Sequence, residues 1–487
     1  MGKGIEDKPA GLIRGISLPG ATALNMIDMI GVGPFITIPL MVSAMGGPQA
    51  MLGWIFGAIL AMSDGLVWAE LGAAMPNAGG SYKYLKEIYG REKLGKPVSF
   101  LYIFQLSFSA PLSIASGCVG LAMYASYLFP GISTVYTNHL FHAHLPLLGS
   151  LEASISIGNA TFVSIGICLV AVLLLYRNIG VINKISQYLW VGVILTILWV
   201  IVSGVTNFDS KLAFNFPPDA FMLTPNFFMG LGAAMLISIY DYWGYYNVCF
   251  IGGEIKNPGK NIPRAIIYSI LAVAVIYIIM NTSILGVLPW QAISDSAGSD
   301  ARKYIISLFM QKIYGNWAGE LVSVLIMWTA FASVFSLLLG YSRVPYAAAV
   351  EGDYFKPFAR IHPKNNFPNF SLIVMGIVAC LFCFLQLRDI IAALVVIRIT
   401  IQFLAQTIGV IIFRITGKDV ERPFRMWLFP LPAILAFAGF VYVLVSRENF
   451  MKEFKYAVIL VILGLILYAW RSYRKKEWPF RKIANAN

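Results

Sequence analysis

Long apolar stretches recur along almost the whole chain and are separated by short polar linkers. A helix needs about 20 apolar residues to cross a bilayer. Twelve stretches meet this requirement, and we call them spans 1 to 12: 17–44, 48–74, 97–129, 157–176, 185–206, 225–252, 264–288, 318–349, 370–387, 389–414, 427–446 and 455–471. The pattern predicts an all-α polytopic membrane protein with 12 transmembrane helices and no sizeable soluble domain.

The composition supports this class of protein. Hydrophobic residues make up 58% of the 487 positions, charged residues make up 12%, and the mean hydropathy is +0.74. A soluble core does not need so much apolar surface. The first residues are basic and no cleavage site of small residues follows them, so we expect an uncleaved cytoplasmic segment over residues 1–16.

The net charge of +13 raises the question of nucleic-acid binding, but the distribution of the charge argues against it. Most Lys and Arg residues lie in the termini and the even-numbered turns, on one side of the predicted membrane. This bias is typical of the cytoplasmic side. We therefore expect a multi-pass protein of the plasma (inner) membrane with both termini cytoplasmic. The basic tail, residues 472–487, is expected to contact anionic membrane lipid.

Two spans contain residues that interrupt a helix. Span 1 has Gly31, Gly33 and Pro34 shortly after an acid, and span 6 has Asp241 and Gly244 in its centre. Span 6 starts five spans after span 1, an odd number, so the two spans enter the membrane from opposite sides. Broken helices at matching positions of two oppositely oriented halves indicate an inverted-repeat transporter. The predicted units are a first repeat (17–206), an inverted second repeat (225–414) and two outer helices (427–471).

Each break exposes backbone groups that have no partner within the helix. In a membrane these groups are tolerated only where they line a cavity or are buried in protein. The break in span 1 presents carbonyls near Ile30, which favour an ammonium group, and amides near Val32 and Gly33, which favour a carboxylate. A zwitterionic amino acid carries both charges. One break alone is equally consistent with a plain kinked helix, but the second break favours a binding site.

Four segments resemble the amino acid–polyamine–organocation transporters. They are GVGPF in span 1, AELGAAMPNAGGSYKYL (69–85), GGEIKNPGKNIPRAI (252–266) and LLLGYSRVPYAAAVEGDYFKPFARIHP (337–363). The resemblance covers nearly the whole chain and is to amino acid permeases. It implies the five-plus-five inverted repeat of LeuT-like transporters, with spans 1 and 6 unwound around the substrate.

The resemblance also implies roles for individual residues. Gly31, Val32 and Gly33 would offer backbone groups to the substrate carboxylate. Tyr240 matches the aromatic residue that closes over the substrate from outside. The rest of the span 6 break would complete the site: Asp241, Tyr242, Trp243 and Gly244. The Gly-Pro-Phe part of the first break is closer to the polyamine-like branch of the family.

Several ionisable residues lie inside spans, where such groups are costly and usually face a cavity or a partner. Asp28 and Asp241 are expected near the membrane midplane, as groups that bind a substrate amine or carry a proton. A structural role at the helix break is the alternative for Asp28. Asp64 in span 2 and Arg398 in span 10 are a candidate pair that the sequence alone does not bring together.

A second group of charges lies near the cytoplasmic ends of the spans. Glu70 and Glu254 end spans 2 and 6, Arg343 ends span 8, and Arg264 begins span 7. These residues predict an inner gate of charge pairs. Ordinary interfacial ion pairing is the alternative.

The remaining chemistry-bearing residues give weaker signals. The sequence has no HExxH, GxSxG or Gly-rich phosphate loop, so we expect no enzyme activity and no cofactor. The five cysteines lie in apolar spans, where packing is expected rather than disulfides or a metal site. Three histidines cluster in the loop after span 3, and we expect a solvated loop there: His139, His142 and His144.

These observations predict a secondary active transporter that moves amino acids by alternating access, either proton-coupled or by exchange. The two central acids favour cationic amino acids as substrates. A polyamine transporter is the alternative, and a non-transporting amino-acid sensor is the alternative of another class. Sodium coupling is less favoured, although Ser333 and Ser336 supply hydroxyls in span 8. The expected partners are a small-molecule substrate, protons and membrane lipid, and not nucleic acid.

Overall fold

The computed structural model describes residues 12–145, 149–295, 303–385, 396, 398–447 and 450–480. The expected N-terminal segment, the basic tail and span 10 therefore lie partly outside the described residues. Within these limits the chain is mostly helical.

The helices follow the predicted spans, with breaks in spans 1 and 6. In chain order they are α1 (Leu18–Met29), α2 (Gly33–Ile36), α3 (Ile38–Met45), α4 (Met51–Ala74), α5 (Ser81–Ile88), α6 (Gly95–Leu128), α7 (Asn159–Leu175), α8 (Ile179–Thr206), α9 (Ser210–Ala213), α10 (Pro225–Tyr242), α11 (Asn247–Phe250), α12 (Pro258–Leu285), α13 (Trp290–Asp295), α14 (Ile305–Tyr314), α15 (Asn316–Val350), α16 (Asn369–Phe382), α17 (Leu404–Thr416), α18 (Leu431–Val445) and α19 (Phe450–Lys475). Short 3₁₀ turns lie at Pro48–Ala50, Pro130–Ser133, Gly252–Glu254 and Lys356–Ala359, and π turns lie at Gly90–Leu94 and Ile399–Phe403.

Within the described residues, 7 helical stretches are long and apolar enough to cross a membrane. They are Pro48–Ala74, Gly90–Leu128, Ile179–Thr206, Pro258–Leu285, Asn316–Val350, Ile399–Thr416 and Glu453–Lys475. The segment from α1 to α3 adds a further span that is bent by 60°. Shorter apolar helices, α7, α16 and α18, fall in predicted spans 4, 9 and 11, whereas α14 lies between predicted spans. The prediction of a polytopic helical membrane protein is confirmed.

A β-hairpin departs from the all-α prediction. Strands β1 (Val135–Leu145) and β2 (Gly149–Gly158) pair antiparallel, from Val135 opposite Gly158 to Leu145 opposite Gly149. Strands have a side-chain period of two, and a search for long apolar windows does not detect this pattern. The three clustered histidines belong to β1 rather than to an irregular loop. No group of three metal-ligating side chains occurs among the described residues.

The chain before α1 is fixed to the chain that follows α11. The amides of Gly15 and Ile16 donate to the Glu254 carbonyl at 2.9 and 3.0 Å, and the Lys256 amide donates back to Ile16 at 2.9 Å. We call the end of the molecule where these segments meet the N-terminal face. It also carries the turn at 76–80 and the C-terminal end of α15, because residues from these segments line one pocket.

The broken helices lie inside the bundle. Helix α1 packs against α8, α12 and α15, and α4 packs against α10 and α12. The close approach of α4 and α10 depends on Gly53 and Gly57, since a Cβ at either position would collide with α10. The Ser238 hydroxyl uses this proximity and donates to the Gly53 carbonyl at 2.8 Å. Small residues and interhelical hydrogen bonds of this kind hold helices together in membranes.

Candidate functional site

The first break separates α1 from α2. Helix α1 ends at Met29, the Ile30 amide makes the last helical bond to Met26 at 2.8 Å, and helical structure resumes at Gly33. Proline follows directly in α2 and again in α3. Because proline has no backbone N–H, these positions do not leave a donor that needs a partner.

The second break follows Tyr242, where α10 ends, and closes at Asn247, where α11 begins. Gly244 has a φ of +130°, a conformation that L side chains rarely adopt. A Cβ on Gly244 would lie 2.8 Å from the Met29 nitrogen and 2.9 Å from the Asp28 carbonyl carbon. Glycine at this position therefore allows the two breaks to touch backbone to backbone.

Side chains of neighbouring helices satisfy the backbone groups that the breaks release. The Tyr277 hydroxyl of α12 lies 2.7 Å from the Met29 carbonyl and 3.2 Å from the Asp241 carbonyl. The Asn25 side chain of α1 donates to the Tyr245 carbonyl at 2.7 Å and accepts from the Val248 amide at 3.0 Å. Buried backbone groups need such partners, so these two side chains hold the breaks open in one geometry.

Helix α15 supports the first break from another side. The Ser333 hydroxyl donates to the Asp28 carbonyl at 3.3 Å, and the Ser336 hydroxyl donates to the Leu24 carbonyl at 2.9 Å. The Asn247 side chain donates to the Ser336 hydroxyl at 2.7 Å and ties α11 to the same helix. The two serines that the sequence offers to sodium thus act as donors to the carbonyls of α1.

A small cavity of about 60 Å³ lies between the two breaks. Helices α1, α6, α10 and α15 contribute to its wall, together with the segment before α17. The lining residues are Asp28, Met29, Gly31, Val32, Gly33, Ser113, Ser116, Gly117, Tyr240, Asp241, Trp243, Ser333, Leu337 and Arg398.

Most of the residues predicted to bind substrate line this cavity. Ile30 is instead fully buried, and Gly244 forms the backbone contact behind the wall. Sequence reasoning missed Ser113 and Ser116, since α6 has no break to attract attention. It also missed Asn25 and Tyr277, although Asn25 lies one helical turn before Asp28, and this spacing of polar residues in an apolar span was a usable signal.

Each of the two central acids has a carboxylate oxygen without a partner. Asp241 Oδ2 accepts a hydrogen bond from the Thr37 hydroxyl at 2.6 Å, whereas Asp241 Oδ1 and Asp28 Oδ1 are buried and unpaired among the described residues. Buried polar atoms are nearly always hydrogen-bonded in folded proteins. Both unpaired oxygens belong to residues that line the cavity.

Arg398 brings a buried positive charge to the same cavity. Its guanidinium donates to the Tyr246 hydroxyl at 3.0 Å, to the Ser109 carbonyl at 3.3 Å and to the Ser113 hydroxyl, all uncharged acceptors. It also lies 5.4 Å from the ring centre of Trp243. The Nε–H has no partner among the described residues.

The candidate pair of Asp64 with Arg398 is not formed. Asp64 is fully buried in α4 and accepts a hydrogen bond from the Tyr245 hydroxyl at 2.7 Å. Asp64 therefore holds Tyr245, a residue of the second break, in place. The rotation of each helix about its axis decides which way the side chains of Asp64 and Arg398 point. The sequences of spans 2 and 10 do not determine this rotation, so a contact between the two residues could not be predicted.

Aromatic side chains separate the cavity from the N-terminal face. Trp68 stacks on Tyr246 with ring centres 4.8 Å apart, and Phe250 packs on both rings. Tyr341 lies beside Phe250, with ring centres 5.4 Å apart. On the opposite side of the cavity, Tyr240 shares a hydrogen bond of 2.8 Å with Ser116. Aromatic side chains therefore lie on two sides of the cavity.

Two ion pairs lie nearer the N-terminal face, and one of them is fully buried. Arg343 binds Glu254 through two hydrogen bonds of 2.9 and 3.0 Å, and both residues are 0% exposed. Glu70 binds Arg414 at 2.8 and 2.6 Å and accepts from the Met426 amide at 2.8 Å. Glu70 thus fixes the chain after α17 and does not pair with Arg343. Arg264 is exposed.

A wider cavity of about 360 Å³ opens at the N-terminal face, beyond the aromatic layer. Its wall combines the residues before α1, the turn at 76–80 and the end of α15. The lining residues are Leu12, Arg14, Pro76, Asn77, Ala78, Lys83, Gly253, Tyr346, Ala347, Val350 and Glu351.

An ion cluster next to this wider cavity joins α5, the chain after α15 and α19. Asp353 accepts hydrogen bonds from Lys86 and from the Tyr82 hydroxyl, both at 2.5 Å, and from Arg471 at 3.0 Å. Burial acts to raise the pKa of Asp353, but the bonds from Lys86 and Tyr82 outweigh it and lower the pKa below its ordinary value. The charged carboxylate is therefore the form that stabilises this cluster.

We expect Asp353→Asn to destabilise the protein by roughly 1.5–3 kcal/mol at neutral pH, the range for hydrogen bonds to charged groups. The folded-state pKa of Asp353 is depressed, so the stabilisation is present above the unfolded pKa and is lost as pH falls through the folded pKa. Thermal unfolding of both proteins from pH 8 down to about pH 3 checks this. The exposed Asp219→Asn is the matched control. Melting curves that stay equally far apart at every pH would contradict the assignment.

The fold is that of a multi-pass helical membrane protein with a cavity between two broken helices. The model of the amino acid permease family matches residues 16–467. The chain therefore belongs to the amino acid permease family, and its homologues are amino acid transporters.

Three relatives illustrate the range of this family. A serine/threonine exchanger of Bacillus subtilis is 27% identical over 96% of this chain and 98% of its own length. Cationic amino acid transporter 4 of Mus musculus is 25% identical over 77% of this chain and 55% of its own length. An aspartate-proton symporter of Bacillus subtilis is 24% identical over 79% of this chain and 70% of its own length. All three names refer to amino acids, but they name amino acids with different side chains.

Proposed function

We propose that this protein is a secondary active transporter that moves amino acids across the plasma membrane by alternating access. The observation that carries the proposal is the cavity between two helix breaks, with the buried residues Asp28, Asp241 and Arg398 in its wall. A buried site of mixed charge suits a zwitterion that must be sheltered from water and lipid. The relatives named as exchanger and as proton symporter support coupling by exchange or by protons.

The architecture proposed for this cycle is the five-plus-five inverted repeat. Residues 17–206 form the first repeat, residues 225–414 form the inverted second repeat, and residues 427–471 lie outside both. The matching breaks after α1 and α10 support this division. The basic residues support a cytoplasmic location for the N-terminal face and for both termini.

Within the site, the backbone of Gly31, Val32 and Gly33 is proposed to hold the substrate carboxylate, and the carbonyls near Ile30 favour its ammonium group. The unpaired oxygens of Asp28 and Asp241 are proposed to bind the substrate ammonium or a proton. Tyr240 closes the outer side, where its hydroxyl already bonds to Ser116. The Trp243 ring and the Gly244 turn complete the second break.

On the cytoplasmic side, the path is closed in two layers. The first is the aromatic layer around Tyr246, and the second is the buried pair of Glu254 with Arg343. Asp64 and Glu70 anchor elements next to these layers, through Tyr245 and Arg414. Opening toward the wider cavity would require these contacts to separate, which is why we assign them to gating.

The charges of the site also bear on the substrate. An amino acid offers an ammonium to the two carboxylates, and Arg398 disfavours a second positive charge beside it. A polyamine has no acidic or acceptor group for Arg398 and would leave the guanidinium unpaired. The site therefore suits an amino acid better than a polyamine. Because of Arg398, it also suits a cationic side chain less well than Asp28 and Asp241 alone would suggest.

Uptake into proteoliposomes tests the proposal. Purified protein is offered a labelled panel of amino acids and polyamines, with and without an acidic outside and with and without internal amino acid. We expect uptake of at least one amino acid, increased by the proton gradient or by internal substrate. Ligand binding without uptake or counterflow would instead identify a sensor.

The two central acids give a sharper test of the site. Asp28→Asn and Asp241→Asn are each expected to reduce uptake by about 10-fold or more, because each removes a charged acceptor from the cavity. The exposed Asp219→Asn is the control and is expected to transport normally. Unchanged uptake in both cavity variants would refute the assignment of these acids.

A further inference from the structure

Four buried polar atoms in the cavity residues have no partner among the described residues. Two are acceptors, Asp28 Oδ1 and Asp241 Oδ1, and two are donors, Arg398 Nε and Trp243 Nε1. The four residues are at most 8% exposed. Because orphan buried groups are costly, a ligand that pairs with all four atoms would have to supply both donors and acceptors.

The backbone of the substrate satisfies only part of this set. In the proposed function, on which this inference rests, the main chain of the first break holds the substrate carboxylate. The substrate ammonium donates to one of the two acids. One carboxylate oxygen and the two donors then remain, and in this proposal they are assigned to the substrate side chain.

A hydroxyl group matches the remaining atoms. It has one hydrogen for a carboxylate and two lone pairs for the Arg398 and Trp243 N–H groups. A carboxylate side chain has only acceptors and would lie beside two acids. An ammonium or guanidinium side chain has only donors and would lie beside Arg398. An aliphatic side chain satisfies none of the three atoms.

The volume of the cavity requires the side chain to be short. The cavity measures about 60 Å³, well below the roughly 300–1,000 Å³ of ordinary ligand pockets. Ser113, Ser116 and Gly117 form its wall on α6, so the small residues of that helix leave room for a few heavy atoms near the guanidinium.

We propose that the site selects amino acids with a short side chain that both donates and accepts hydrogen bonds, foremost a hydroxyl. Arg398 and Asp28 are then the specificity-determining residues, since Arg398 donates to the side-chain oxygen and Asp28 accepts its hydrogen. Ser113 is a positioning residue that holds the guanidinium in the wall.

Threonine and valine provide the matched test, because they have nearly the same shape and differ in the hydroxyl. Competition of each against a labelled transported amino acid is measured in proteoliposomes. We expect threonine to compete at least about 10-fold better than valine, and serine at least about 10-fold better than alanine. Lysine, arginine and aspartate are expected to compete weakly. Equal competition by threonine and valine would overturn the proposal.

Arg398→Gln tests whether Arg398 is the group that distinguishes threonine from valine. The variant is expected to bring the threonine-to-valine ratio down toward one, whereas the exposed Arg91→Gln is expected to leave it unchanged. A retained ratio would overturn the role of Arg398. An equal loss for both amino acids would assign Arg398 to the substrate carboxylate and would also overturn the proposal.

Two further measurements keep this inference separate from the proposed function. If Arg398→Gln does not yield folded protein, Asp28→Asn decides the question in a binding assay by thermal shift, and an unchanged threonine-to-valine ratio refutes the inference. If no amino acid is bound or transported by the unmodified protein, the proposed function fails. If amino acids are transported without preference for a hydroxyl, only this inference fails.

Discussion

Removing either partner of the Glu254–Arg343 pair is expected to destabilise the protein by about 3–5 kcal/mol. Both side chains are 0% exposed and share two hydrogen bonds of 2.9 and 3.0 Å. Arg343→Met would leave the Glu254 carboxylate buried without a counter-charge, and Glu254→Leu would leave the guanidinium in the same position. The penalty for an unpaired buried charge is larger than any loss expected from a surface pair.

The double variant separates the two contributions. Replacing the pair by apolar residues removes both charges at once, and such a change is often nearly neutral. We therefore expect Glu254→Leu combined with Arg343→Met to recover most of the stability that each single variant loses. Arg91→Met, at a pair whose arginine side chain is 55% exposed, is the matched control and should cost less than about 1 kcal/mol.

Thermal unfolding in detergent and the yield of monodisperse protein measure these effects. Single variants that melt like the unmodified protein would show that the pair contributes little. Additive losses in the double variant would show that the two side chains act through other neighbours, since coupling between contacting residues appears as non-additivity.

The positions of the helix breaks could be predicted from the sequence, because glycine, proline and an acidic residue close together disfavour a continuous helix inside an apolar span. Asp28 and Asp241 therefore stood out at once. The side chains that pair with the backbone groups of the breaks could not be identified from the sequence. Tyr277 contacts both broken ends from α12, but a tyrosine in an apolar span is indistinguishable from core packing until the helices are assembled.

Contacts between distant spans show the same limit for charged residues. Glu70 meets Arg414 across 344 positions, and Arg398 meets Ser113 across 285. Such partners depend on the rotation of each helix about its axis, which amphipathic periodicity fixes only when one face meets water. Inside a membrane both faces are apolar. The cost of a charge in the membrane made Arg398 a candidate from the sequence, but its place in the cavity wall could not be predicted.

The β-hairpin was missed for a different reason. Its strands alternate small, polar and apolar residues, and no window of β1 or β2 resembles a span. A segment without a membrane signal is expected to be a loop between spans, although a period of two is itself a signal for a strand. The error does not affect the cavity, whose lining residues all lie outside the hairpin.

Gly244→Ala is expected to reduce transport by about 100-fold or more. This factor corresponds to a strain of roughly 3 kcal/mol that disturbs the binding geometry. At a φ of +130° an alanine is strained, and its Cβ would lie within 2.9 Å of the Asp28 and Met29 backbone. The two breaks would have to separate. That movement would shift the Asp28 and Asp241 carboxylates, which belong to the two helices that end at this contact.

Gly166→Ala provides the control for this substitution. Gly166 lies in α7, has open space around the position of a Cβ, and has an ordinary helical backbone. Alanine there should be neutral or slightly stabilising, since glycine within a helix costs roughly 0.5–1 kcal/mol relative to alanine. Substrate-induced thermal shift and proteoliposome uptake are measured for both variants. The added methyl group leaves no room for the contact that the two breaks make in this structure. Full uptake by Gly244→Ala would therefore show that transport does not require this contact, and would contradict the prediction.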